Sequence, residues 1–224
     1  MKRQPVIILL ILFFVIPVSA STLADGALDF VSTSVDKVLT ILRDPACKEE
    51  SNREVQRQKL RTVVEALFDY DEISRRVLGR ERKSFTPEQL DEFSDLFTRL
   101  LEKIYLNKIQ KYSDEKVIYG KATMLSDNKA EVETNVVTAS KQIPINYRVV
   151  FQHGEWRGYD VFIEGVSLVK NYRSQFNKIL QTKTPEDLLR QLREKVNEEE
   201  APTKRASLYN RKCRGKFCKE TAQL

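Results

Sequence analysis

Residues 130–151 read AEVETNVVTASKQIPINYRVVF. Two alternating runs lie within this stretch. Over 130–138, Ala130, Val132, Thr134, Val136 and Thr138 share one parity, and Glu131, Glu133, Asn135 and Val137 share the other. Over 143–151, Ile143, Ile145, Tyr147, Val149 and Phe151 oppose Asn146 and Arg148. Successive side chains of a strand point to opposite faces, so both runs read as strands of a sheet with one covered face. The polar bend near Ala139-Ser140 is too short for a parallel crossover and predicts antiparallel neighbours.

Outward from there, residues 116–163 hold four such runs, also parted by Ser126-Asp127-Asn128 and His153-Gly154. Ahead of them the period is helical. Leu28, Val31, Val35, Val38, Leu39 and Leu42 mark a helix over 23–42, stopped at Asp44-Pro45 because a proline pushes the preceding residue out of helical geometry. A second helix is predicted over 54–68 and a short third over 71–78, ending at Gly79. Thr86-Pro87-Glu88-Gln89 is a capped start with proline at the first helical position, followed by an apolar stripe through Ile109. Behind the strands, Glu164-Gly165 makes an exit turn and Ser167 caps a helix carrying Leu168, Val169, Tyr172, Phe176, Ile179 and Leu180. A last helix starts at Thr184-Pro185. The predicted class is α+β: a four-stranded antiparallel meander packed against several helices, with an apolar hollow between the layers.

Lys2 and Arg3, an apolar run over 6–18 and Val18-Ser19-Ala20 describe a secretory signal peptide, residues 1–20. The run is shorter than the ~20 residues of a spanning helix. The domain is assigned to 21–200 and a basic tail to 201–224. That tail carries seven bases against Glu220. Without it and the leader, the body has 29 bases against 31 acids, so the net charge of +6 belongs to the tail and no nucleic-acid face is expected. The tail is read as a solvated segment, with contact to anionic headgroups or an acidic partner left open. In an oxidising compartment Cys213 and Cys218 can close a loop, leaving Cys47 odd. With His153 alone in the chain, no metal site is expected.

Catalytic signals are thin. His153 sits in a predicted turn. Asp160 beside Tyr159 or Tyr172 can be drawn as an acid–base pair, but adjacent strand residues face opposite ways, and Asp160 and Glu164 read better as partners of arginines or backbone amides. Ser167 lacks the setting of a hydrolase nucleophile. The chain's 7 glycines form no phosphate cradle.

Residues 159–176, YDVFIEGVSLVKNYRSQF, with Trp156 just ahead, closely resemble the signature of the MlaC family of periplasmic phospholipid-binding proteins, also called toluene-tolerance proteins. The leader, the Thr86-Pro87 helix and the meander follow in the family's order, and the resemblance spans about 21–198. It implies a cystatin/NTF2-like fold with added helices, a carrier rather than an enzyme, and no cofactor beyond the phospholipid cargo. It further implies exchange with an outer-membrane lipoprotein complex and with an inner-membrane lipid ABC transporter bearing a lipid-binding ring protein. The carrier itself is expected to be periplasmic and monomeric.

The candidate lining comprises Phe97, Leu101, Ile104 and Tyr105 from the long helix. The sheet contributes Tyr147, Val149, Phe151, Tyr159, Val161 and Ile163, and the closing helix Val169, Tyr172 and Phe176. Three other readings stand beside the phospholipid carrier: an enzyme on a cone-shaped fold acting on an apolar small molecule, a docking subunit with a solid core, and a carrier of another lipid such as a hopanoid.

Overall fold

The computed structural model describes residues 20–47, 50–112 and 115–197. The leader lies almost wholly outside them, and the tail with Cys213 and Cys218 wholly outside. Four helices precede the sheet: α1 (Ala20–Arg43), α2 (Arg53–Leu67), α3 (Tyr70–Leu78) and α4 (Pro87–Ile109). The strands are β1 (Lys116–Ser126), β2 (Lys129–Val137), β3 (Gln142–Gln152), β4 (Glu155–Ile163) and β5 (Val166–Ser167), followed by α5 (Leu168–Leu180) and α6 (Pro185–Asn197). The sheet is antiparallel in the order β1-β2-β3-β4-β5. This corrects the expected four strands to five. Val166 and Ser167, read from sequence as turn and cap alone, also pair with Ile163 and Phe162. A two-residue strand carries no periodicity, so pattern reading passes over it.

Local chemistry sets the helix ends. The Gln89 amide donates to Thr86 Oγ1 (3.2 Å), and the Thr86 amide donates to Gln89 Oε1 (3.1 Å). This reciprocal box satisfies two donors that a helix start otherwise leaves orphaned. Thr184 and Asp187 repeat the device at α6. α3 stops at Gly79, whose φ of 56° suits a residue without Cβ.

Three apolar clusters hold the layers. The largest joins α3, α4, α5 and α6 around Phe93, Phe97, Phe176 and Leu189. A second packs the first half of α1 onto the sheet through Ala27, Val31, Val132, Val149 and Trp156. The third is small: Leu42, Leu60 and Leu106 from α1, α2 and α4. The α2–α3 connection is tied to the sheet by the Asp69 amide, which donates to the Gly158 carbonyl (2.9 Å), and by Gln152, which donates to Asp69 Oδ2 (2.8 Å). Cys47 is buried and has no disulfide partner among the described residues.

Phe68 lies directly on Gly158. A Cβ there would fall 2.6 Å from the Phe68 ring and 3.2 Å from the Leu67 carbonyl. Gly158→Ala should therefore force strand and ring apart and lower stability by about 1–3 kcal/mol. Urea unfolding measures this, with an unchanged midpoint as the contrary result.

Candidate functional site

A pocket of about 230 Å³ opens where the three clusters meet. Its walls are α1 (Val35, Val38, Leu39, Leu42), α2 (Val64, Leu67), α4 (Leu101 to Ile109) and the helix-facing side of the sheet (Val117, Val136, Ile143, Ile145, Tyr147, Val161, Ile163). The pocket is long. Leu101 to Ile109 spans roughly 12 Å at 1.5 Å per helical residue, and Ile143 to Tyr147 roughly 14 Å at 3.4 Å per strand residue. One end holds Lys108, Tyr112 and Glu115; the other holds Phe68, Tyr70, Leu101 and Tyr147.

Four tyrosines of the fold, Tyr70 and Tyr147 on the pocket wall and Tyr119 and Tyr172 away from it, are poor acids. Burial raises Tyr70, Tyr147 and Tyr172 above the usual phenol value, Tyr147 to about 12. Burial and the Asp36 carboxylate, 2.6 Å away, do the same to Tyr119. All four remain neutral hydroxyls at physiological pH.

Two buried carboxylates reach the pocket wall, each already engaged. Asp160 is buried. Its Oδ1 accepts from the amides of Val161 (2.9 Å) and Val169 (3.0 Å), and its Oδ2 from the Ser167 hydroxyl (2.6 Å). Ser167 Oγ in turn accepts from the Lys170 amide (2.9 Å). One side chain thereby caps the first turn of α5 and binds it to β4. The register shift between Arg148 and Val149 switches the parity of β4: Val161 and Ile163 pair with Tyr147 and Ile145, whereas Gly158 and Trp156 pair with Val149 and Phe151. Glu102, 4% exposed, accepts from Arg61 across the α2–α4 seam (Nε, 2.8 Å). Sequence reading missed Glu102 as a wall residue; the only signal was an acid inside the apolar stripe of α4.

Of the residues proposed from sequence, Leu101, Tyr105, Tyr147, Val161 and Ile163 line the pocket together. Phe97, Val169, Tyr172 and Phe176 pack in the main helical cluster, with Phe97 and Tyr172 edge to face at 5.0 Å. Ile104 is half-buried against the same cluster. Val149 and Phe151 pack under α1, with Phe151 on Trp156 at 5.4 Å. Tyr159 lies beneath the Arg76 guanidinium, 4.1 Å from ring centroid to Cζ. Arg173, read as a rim residue or a partner for Asp160, instead donates to the Arg76 carbonyl. His153 sits in the β3–β4 turn with φ 53°. Walls missed from sequence include every contribution of α1 and α2, whose apolar faces carry no mark separating cavity from core.

The MlaC protein family model matches residues 32–194. This chain belongs to the MlaC family. The toluene tolerance protein ttg2D of Pseudomonas putida is 25% identical over 181 residues, 80% of this chain and 82% of its own length. The intermembrane phospholipid transport system binding protein MlaC of Haemophilus influenzae is 31% identical over 112 residues, 46% of this chain and 52% of that protein. A phospholipid-binding protein of Ralstonia solanacearum, solved in complex with a phospholipid, superposes with a TM-score of 0.69 at 25% identity, covering 77% of this chain and 98% of that one. Among the described residues of this MlaC family member, no helix is long and apolar enough to cross a membrane.

Two measurements check this geometry. Asp160→Ala strands two amides and a hydroxyl, and should cost about 2–4 kcal/mol in urea unfolding, with Asp160→Asn less damaging because one oxygen remains. The tyrosines set an alkaline limit. A phenol titrating near 10 unfolded and near 12 folded, as Tyr147 does, contributes stability that is whole below pH ~10 and is lost as pH rises from there to about 12. Tyrosinate absorbance should therefore lag behind that of free tyrosine until the fold opens; titration like free tyrosine in the intact fold is the contrary result.

Proposed function

We propose that this chain is a soluble periplasmic carrier that shields phospholipid acyl chains in the pocket between sheet and helices. Lipid would be exchanged between an outer-membrane lipoprotein complex and an inner-membrane ABC transporter with its lipid-binding ring protein. The single observation that carries the reading is the elongated apolar pocket, in a chain whose structural neighbour was solved holding a phospholipid.

The physical need is large. At ~0.8 kcal/mol per buried methylene, two tails of about fifteen methylenes cost on the order of 24 kcal/mol to expose to water. A cavity that replaces water by side-chain methyls and rings lowers that barrier for each methylene it encloses. Depth suits the cargo: three trans bonds span ~3.8 Å, so a 12–14 Å wall accommodates roughly ten carbons in extended form. Charged groups Lys108 and Glu115 at one end fit a headgroup left in water.

An enzyme reading finds less support. Asp160, the carboxylate that would serve as base, has both oxygens occupied by the structural bonds of the α5 cap. The relatives with assigned roles are named for phospholipid binding and transport. Direction of transfer would come from affinity differences between carrier and membrane partners, since the sequence holds no nucleotide-binding loop. Toluene tolerance, as in the Pseudomonas putida relative's name, would follow from outer-membrane lipid order.

Native mass spectrometry of the full chain expressed in a bacterium, with extraction of what co-purifies, tests this. Stoichiometric phospholipid is expected, and Ile145→Asp, which places a charge on the pocket wall, should remove it while leaving circular dichroism unchanged. A folded, empty protein that takes no lipid from vesicles would overturn the reading.

A further inference from the structure

The length and the volume of the pocket are two separate measures of what it can hold. Its walls run for roughly 12–14 Å along α4 and β3, the reach of about ten carbons of an extended chain. An apolar cavity of ~150 Å³ takes one benzene, six carbons, so a pocket of about 230 Å³ takes about nine. Both measures describe a single chain lying extended. Two chains side by side to the same depth need about twice that space.

The space on either hand is already filled. In one neighbouring cluster Phe97, Tyr172 and Phe176 are no more than 2% exposed, with ring centroids 5.0, 5.5 and 5.7 Å apart. In the other, Ala27, Val31, Val132 and Val149 are fully buried between α1 and the sheet. Interiors packed in this way make room for an added group only through off-rotamer side chains and backbone shifts. The inner end is crowded as well. There Phe68 packs on Tyr70 and Tyr147, with centroids 6.4 and 6.5 Å away, and is backed by Gly158. Phe68 and Tyr70 also line a second, polar cleft beside Asp69, Asp71 and Glu155, so the two rings stand between the apolar pocket and charge. At the mouth are Lys108, Tyr112 and Glu115. A second tail left there meets ions and water.

Building on the phospholipid-carrier reading, we infer that the pocket is a one-chain site whose cargo is a monoacyl phospholipid, a lysophospholipid. The acyl chain enters tail first and is enclosed for about ten carbons, with the glycerol and phosphate left at the mouth. A diacyl phospholipid can place only one tail inside. Each methylene of the other that stays in water forfeits about a fourfold gain in affinity.

The test compares lipids of equal carbon count. Lauroyl lysophosphatidylcholine carries its twelve acyl carbons in one chain, and dihexanoyl phosphatidylcholine carries twelve in two. Each is used, below the concentration at which it forms micelles, to displace a fluorescent lysophospholipid from the full chain stripped of bound lipid. The lauroyl lipid should bind on the order of a hundredfold more tightly, because about four more of its carbons are enclosed. Single-chain lipids from octanoyl to hexadecanoyl should gain about fourfold per methylene up to about ten carbons and level off beyond. Dihexanoyl binding as tight as lauroyl, or tighter, overturns the one-chain site while leaving the carrier reading intact. Affinity that climbs unbroken to hexadecanoyl does the same. Failure of the chain to bind the probe or any of these lipids overturns both.

Discussion

The Asp160 carboxylate is the joint on which this structure turns. Its two oxygens gather the Val161 amide in β4, the Ser167 hydroxyl in β5 and the Val169 amide at the head of α5. Leaving such donors unmet in a buried site costs more than the bonds contribute when made, so the geometry is strongly specified. The joint decides where α5 leaves the sheet. It thereby sets how Tyr172 and Phe176 meet Phe93 and Phe97 of α4, the aromatic centre of the largest cluster. The signature stretch 159–176 is informative because it encodes this joint: strand, acid, turn, capping serine and aromatic helix face.

A second constraint follows. A pocket survives only if the side chains around it are kept from collapsing into it, since interiors pack to near-crystalline density when free to do so. Here the apolar residues are divided among three clusters held by separate elements. α1 is fixed to the sheet at Trp156, close enough that Gly26 leaves its indole nitrogen just clear. The helical core is fixed to β4 by Asp160. α2 is held to α4 partly by polar contacts, Arg61 to Glu102 and Arg57 to Asn107. Each wall is thus anchored by contacts behind it. The long stripe on α4 serves two masters, with Phe93 and Phe97 filling the core and Leu101 to Ile109 facing the pocket.

That division explains how far the candidate site was legible. Periodicity places Leu101, Tyr105, Tyr147, Val161 and Ile163 on faces turned toward the opposite layer, and those faces do border the pocket. The same periodicity places Phe97, Tyr172, Val149 and Phe151 on such faces, yet they meet neighbours instead of open space. Alternation and helical spacing report which side of an element is apolar. They carry no information on whether the facing element stands near or far. Glu102 and Asp160 were harder still: each is an acid on a buried wall, tolerated through partners 41 residues away for Glu102 and 9 or fewer away for Asp160.

The sequence by itself determined the elements and their order. Thr86-Pro87, Ser167 and Thr184-Pro185 announce helix starts through bonds that close within three residues. The alternating runs announce strands, and their short turns impose antiparallel neighbours. These are local consequences of backbone geometry, so one chain is enough to read them. Only the tertiary structure decided the fifth strand, the register shift that switches the parity of β4, the spacing between sheet and helices, and hence the pocket. Each of these depends on contacts between residues far apart in the chain, where volume and distance, rather than pattern, determine which apolar side chain is core and which is wall.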